Sequence, residues 1–220
     1  MIEKIYFDKE TYIWKTNLKL NNYKNQILKE AYHIIDLQKN SVKHDGYAYK
    51  QVWKGNLDFD GVINVENKLD LIYQMGIDYC KKIYTQEVNT KFNKVNTDSW
   101  VNIVRSKNPV QIQFKHDEIK GVDKFHTHTE INKQMKSFVP NYTYVYYIQM
   151  PDIMEGEDGV LYFKSKNGNE YYIKPEEDEL IIMEADMAHA PNNAPKSSID
   201  RIVLAGNVGF EYIKKEKSLL

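Results

Sequence analysis

Apolar and polar residues follow two different rhythms along this chain, and the change comes near its middle. Between Asn22 and Leu37 the apolar positions Ile27, Leu28, Ala31, Ile34 and Ile35 recur at the spacing of one helical face. Between Asn64 and Glu87 the stripe is clearer, running through Leu69, Ile72, Tyr73, Gly76, Cys80, Ile83 and Tyr84. Asn64 is a candidate cap for its start. Beyond this helix the period drops to two. Trp100, Asn102 and Val104 fall on one face of a strand, with Val101, Ile103 and Arg105 on the other. Val110, Ile112 and Phe114 alternate in a second strand, and Tyr142 to Ile148, Leu180 to Met183 and Arg201 to Asn207 read as further ones. Lys4 to Leu18 reads as extended. Ser41 to Gly61, punctuated by Gly46, Gly55 and Gly61, reads as a loop with a short strand near Tyr49 to Trp53.

Helices first and strands second predict an α+β, mainly β fold, a sandwich with N-terminal helices packed on one sheet. The length, 220 residues, suits one domain. Its helix-containing part covers about 1–95 and its sandwich core about 96–212. The 17 tyrosines suit strands with amphipathic faces. A formal net charge of -1 supplies no global basic field for nucleic acid. Asp152, Glu155, Glu157 and Asp158 further oppose a polyanion there. The single cysteine, Cys80, excludes an intramolecular disulfide and a thiolate zinc cluster, and reads as a small core residue. No apolar leader opens the chain and no apolar run is long enough to span a bilayer, so a soluble, cytoplasmic protein without a membrane partner is expected.

Candidate chemistry sits in Phe125-His126-Thr127-His128-Thr129-Glu130 and Ala188-His189-Ala190-Pro191. In an extended strand His126, His128 and Glu130 share one face. A His-x-Glu pair there, joined by His189, makes a two-histidine, one-carboxylate set for non-haem Fe(II), with positions left open for substrate and oxygen. Either His126 or His128 serves as the first ligand. A second, weaker cluster, His116-Asp117-Glu118, lies in a polar stretch. Arg201 opens a strand that is expected to return beside the one before His189, with Val203, Ala205 and Asn207 on its face. A guanidinium turned into that cavity calls for an anion, and a ligand carboxylate fits its fork; the competing reading pairs Arg201 with Asp200 at the surface. On Tyr142 to Ile148, Thr143, Val145 and Tyr147 share one face and Tyr142, Tyr144 and Tyr146 the other; either face can be the inner one. If Tyr147 points inward, its hydroxyl reaches the same carboxylate as Arg201.

These residues resemble the 2-oxoglutarate- and Fe(II)-dependent oxygenases, in particular their prolyl-hydroxylase-like branch. The resemblance runs from about Trp100 to Phe210 and its parts keep the family's order. They are His128-Thr129-Glu130, Thr143 to Ile148, Gly159-Val160-Leu161-Tyr162-Phe163, Lys174-Pro175 with Asp178 to Met183, then His189 and Arg201. It implies a double-stranded β-helix, a jelly-roll or cupin-like sandwich, with Fe(II) held by His128, Glu130 and His189. It also implies 2-oxoglutarate bound through Arg201 and Tyr147, with Asn207 as a supporting group. Molecular oxygen is the co-substrate, ascorbate an admissible reductant, and hydroxylation of a peptidyl or small-molecule C–H the reaction. The chain departs from the pattern in its double histidine, its glutamate in place of the commoner aspartate, and an inserted-looking run from Asn132 to Pro140.

Three rivals share parts of this reading. A cupin-like metalloenzyme without 2-oxoglutarate explains His126-x-His128 and the echo at Asn193. It lacks the expected glycine at Asp186, however, and gives Arg201 no role. A non-catalytic jelly-roll binding module predicts no iron affinity. A nucleic-acid-modifying dioxygenase uses the same chemistry but lacks the basic surface.

Overall fold

The computed structural model describes residues 2–40, 46–52, 67–88, 92, 94–104, 125–134, 138–192, 194 and 196–211. Strands β1 (Glu3–Tyr6) and β2 (Tyr12–Asn17) open the chain. A 3-10 turn at Asn21–Tyr23 leads into helix α1 (Lys24–Gln38), followed by β3 (Gly46–Val52), α2 (Lys68–Val88) and β4 (Lys94–Val104). The second half holds α3 (His128–Gln134), β5 (Tyr142–Gln149), β6 (Leu161–Lys164), β7 (Glu170–Ile173), β8 (Glu179–Glu184), β9 (Ala188–Pro191) and β10 (Arg201–Glu211). Among the described residues seven strands form one sheet in the order β1-β2-β8-β5-β10-β4-β3, and three form another in the order β7-β6-β9. The pairings in both sheets are antiparallel. The fold is thus mainly antiparallel β with a few helices.

Alternation along the strands assigns the faces. Tyr142, Tyr144, Tyr146, Leu180, Ile182, Ile202, Leu204 and Val208 join α1 and α2 in one core. Tyr147, Ile181, Met183 and Val203 join Leu161 and Phe163 of the small sheet in another. The large sheet is therefore covered on both faces, by helices on one side and by the small sheet on the other. Its helix side relies on close approach at two glycines. A Cβ at Gly76 would lie 2.9 Å from the Tyr144 ring, and one at Gly206 would lie 2.5 Å from the Tyr144 hydroxyl and 2.7 Å from the Asp98 carbonyl. Tyr144 thus fills a slot that only glycine leaves open.

Several expectations change. The extended stretch expected over Lys4 to Leu18 forms β1 and β2, and β2 pairs with β8 inside the large sheet. The link from β9 does not bring β10 beside β8. Instead β10 pairs with β4 on one side and β5 on the other, because β9 has crossed to the small sheet. Strands β7 and β9 fall outside the expected set. Helix α2 is capped by Asn67, whose Oδ1 accepts the Asp70 N–H at 3.1 Å. Asn64, Arg105, the strand expected over Pro109 to Phe114, the His116 cluster and Asn193 lie outside the described residues. Among those described, no helix is long and apolar enough to cross a membrane.

Candidate metal centre

Three histidines converge inside the sandwich. On β9, His189 lies opposite Phe163 of β6, and on its other side it forms an isolated antiparallel bridge with His126. Backbone bonds run both ways in that bridge, His126 N–H to the His189 carbonyl at 3.1 Å and the reverse at 3.0 Å. Directly opposed residues place their side chains together, and the two rings stand 4.5 Å apart between centroids.

His128 arrives by a different route. The chain does not continue as a strand through His126, His128 and Glu130; it turns into α3 at His128. Thr127 caps the helix, its Oγ1 accepting the Glu130 N–H at 3.3 Å. The spacing Thr127-x-x-Glu130 is that of a capping box, and Glu130 suits the positive end of the helix. The His128 and Thr129 N–H groups both donate to the Ala185 carbonyl, at 2.9 and 3.1 Å, which pins the helix start beside the end of β8. Two residues along a helix turn the side chain by about 200°. His128 is accordingly buried while Glu130 is exposed. Glu130 therefore stands apart from the histidines, and His126 occupies the third place.

The ligand-capable atoms of His126, His128 and His189 all lie within 4.8 Å of one another. His128 Nε2 and His189 Nε2 are 3.2 Å apart. Two imidazole nitrogens about 2.1 Å from a shared ion stand about 3.0 Å apart at right-angled corners and about 3.4 Å apart at tetrahedral ones. The observed separation falls between the two, so the donor set fits a divalent transition metal. His189 Nδ1–H donates to the Met187 carbonyl at 2.9 Å. This fixes the tautomer and leaves Nε2 with its lone pair toward the cluster. Burial, aided by the neighbouring His189, holds His126 down to about 3. Burial likewise depresses His128 and His189. All three rings are neutral at ordinary pH, as metal binding requires. Trp100 stacks on His128, with ring centroids 5.5 Å apart and 23° between planes, and covers that face.

Arg201 is 4 % exposed. Its Nη1–H donates to the Asn192 carbonyl at 3.4 Å, and its buried Nε–H has no acceptor. Among the described residues no carboxylate pairs with it, so the surface pairing with Asp200 does not form. Burial lowers its pKa, and the adjacent Tyr147 works against that shift. Tyr147 is buried on the same inner face, which decides the parity that periodicity left open. Asn207 also lies on this face, where Thr143 Oγ1–H donates to its Oδ1 at 2.8 Å. It stands six residues from Arg201, about 20 Å of strand.

No protein-family model and no curated protein matches the sequence. Solved structures do match. A prolyl-4-hydroxylase from Pseudomonas putida superposes with a TM-score of 0.50 at 11% identity, covering 90% of this chain and 91% of that one. A 2OG-Fe(II) oxygenase family protein from Caulobacter crescentus gives 0.51 at 12%, covering 90% and 77%. The chain has the fold of the 2OG-Fe(II) oxygenases. The protein termed IDO from Bacillus thuringiensis gives a TM-score of 0.55 at 10% identity, with 90% and 89% covered. At these identities the likeness speaks for the fold, and the chemistry must be argued from the side chains.

Within this oxygenase fold, reading the sequence missed two inner-face residues. Trp100 and Asn102 were visible as one face of a strand, but nothing in the pattern said which face looks inward. The burial of Val101 and Ile103 against the helices now settles it. The capping box at Thr127 was the available signal that α3 begins where a strand was expected.

Proposed function

We propose that the chain is a non-haem Fe(II)- and 2-oxoglutarate-dependent oxygenase, a single domain of the double-stranded β-helix type that hydroxylates a peptidyl or small-molecule C–H. The observation that carries this reading is a convergent histidine group and a buried arginine on the inner side of the same sheet. Three neutral imidazoles converge, one of them, His128, stacked on Trp100, whose partner on β10 is Ala205, and a buried guanidinium whose Nε–H has no acceptor begins four residues along β10 at Arg201. Four residues of strand span about 13 Å. An arginine side chain and a short dicarboxylate, end to end, cover that gap.

In this reading His126, His128 and His189 hold the metal, and Arg201 with Tyr147 orients the distal carboxylate. When bound, Fe(II) and 2-oxoglutarate supply oxygen activation coupled to decarboxylation to succinate and CO2, with ascorbate as a supporting reductant. The protein's own part is positional. The Met187 carbonyl orients His189, Trp100 shields His128, and Val203, Ile181 and Met183 line a dry wall. Three neutral ligands leave the ion its full double charge, which strengthens its attraction for an anionic keto acid in a low-dielectric site.

A second reading, a cupin-like metalloenzyme without 2-oxoglutarate, is favoured by one observation, the absence of a carboxylate from the convergent group among the described residues. Anaerobic titration with Fe(II) and 2-oxoglutarate separates the two. The proposal expects a weak visible charge-transfer band that His126→Ala and His189→Ala abolish, Arg201→Ala shifts to far higher 2-oxoglutarate, and Glu130→Ala leaves in place. Iron binding without the band supports the cupin-like reading. Failure to bind iron sinks both.

A further inference from the structure

An extended ligand running from the histidines to Arg201 must cross one intermediate row of the large sheet. That row is Asn102, Val203 and Tyr147, with Val203 directly opposite Asn102 on β4 and Tyr147 on β5. The Val203 side chain forms the floor. Tyr147 stands on one flank and Asn102 on the other. Beyond Asn102 the register continues to Gly46 of β3, which has no side chain to fill the space.

Two polar atoms at this end of the inner face are sealed from solvent without a partner, Asn102 Oδ1 and Arg201 Nε. Leaving such groups unpaired costs about 1–3 kcal/mol each, so two of them on adjacent rows of one inner face invite a ligand. They are diagonal neighbours, since Arg201 faces Val104, two residues on from Asn102. Diagonal positions lie about 7–8 Å apart at the backbone, within reach of a long side chain.

Building on the oxygenase reading, we propose that Asn102 is a third arm of the distal-carboxylate pocket and helps select a five-carbon dicarboxylic keto acid. With nothing bonded to its oxygen, the amide can turn its NH2 to the carboxylate. It adds a hydrogen bond without adding charge, so one guanidinium and one carboxylate remain balanced. Asn102 is a positioning residue for the co-substrate and has no part in the metal's coordination.

The test compares 2-oxoglutarate with pyruvate, which keeps the keto acid and lacks the distal carboxylate. Both are titrated anaerobically into Fe(II)-loaded wild type, Asn102→Ala and Asn102→Asp. In Asn102→Ala the 2-oxoglutarate Kd should rise about tenfold, the loss of one charge-assisted hydrogen bond. In the near-isosteric Asn102→Asp it should rise about a hundredfold or more through like-charge repulsion. Pyruvate and Fe(II) affinities should not move in either variant, which also reports an intact site. Unchanged 2-oxoglutarate binding in both variants overturns the proposal. So does equal weakening of both acids, which would place Asn102 at the metal end or in the folding core. If wild type binds 2-oxoglutarate no better than pyruvate, the oxygenase reading itself falls and takes this pocket with it.

Discussion

On β10, Ile202, Leu204, Val208 and Phe210 turn toward the helices, while Arg201, Val203, Ala205 and Asn207 turn toward the small sheet. The helix side is an apolar and aromatic mass. Tyr84 and Phe210 pack at 4.3 Å between centroids, and Tyr142 meets both. The inner side carries the histidines, Arg201, Asn102 and Asn207. The helix side also holds polar groups: Tyr73 meets Thr97, Tyr146 O–H donates to Asp178, and the Tyr144 hydroxyl is wedged against Gly206 without a partner. The same strands thus supply two environments by alternation alone. The helix face contributes most of the apolar burial, and the inner face keeps two polar atoms, Asn102 Oδ1 and Arg201 Nε, whose unmet hydrogen bonds cost stability. Such a division is expected where function strains a fold that packing elsewhere sustains.

The largest effect should come from cutting into the helix side. Leu204 is fully buried there, and Leu204→Ala should lower unfolding free energy by about 2–5 kcal/mol in urea titrations. The stoichiometry and affinity of Fe(II) binding should stay as in wild type. A parallel loss of metal affinity would mean that the two faces are one cooperative unit and that the comparison is too sharp. Arg201→Leu probes the opposite side. Removing a buried cation without a counter-ion should leave stability unchanged or raise it by about 1–3 kcal/mol, while 2-oxoglutarate binding collapses. A destabilised Arg201→Leu would show that the guanidinium already has what it needs, and the case for a ligand carboxylate would lose its ground.

Alternation and helical periodicity carried most of the fold, because each strand and each long helix has a stripe that packing obeys. The inward face of β5 was not legible. Both of its faces are buried, so Thr143-Val145-Tyr147 and Tyr142-Tyr144-Tyr146 are equally acceptable to a period-two pattern. Only the position of α2, with Gly76 against Tyr144, decides it. His189 and Arg201 reached the interior because they sit on regular strands whose register transmits direction. Glu130 did not, because a two-residue step that means the same face in a strand means nearly the opposite face in a helix. The competing signal, Thr127 capping through the Glu130 N–H, is local and was outweighed by the appeal of a His-x-Glu pair. The place of β10 was misjudged for a topological reason. A short link between strands usually makes neighbours, but β9 belongs to the other sheet.

The smallest effect concerns pH, and it again divides the two faces. The helix side has no histidine among its core residues, whereas three line the inner side. All three have folded-state values below the ordinary value near 6.5. Above that value the folded and unfolded chains both hold these rings neutral, and stability does not depend on them. Below it the unfolded chain takes up protons that the folded chain refuses, so stability falls as pH falls. The slope reaches at most about 1.4 kcal/mol per pH unit for each histidine. The metal-free protein should therefore show a flat unfolding midpoint from pH 8 to about 7 and a decline from 6.5 to 5, before carboxylates titrate. A variant carrying His126→Gln and His128→Gln should decline less steeply over the same window. Bound metal should raise the midpoint at pH 8 and make the fall below 6.5 steeper, since protons and metal compete for the same lone pairs. A metal-free wild type whose midpoint is level through pH 5 would mean that the three rings reach solvent readily, and the dry, convergent site would have to be abandoned.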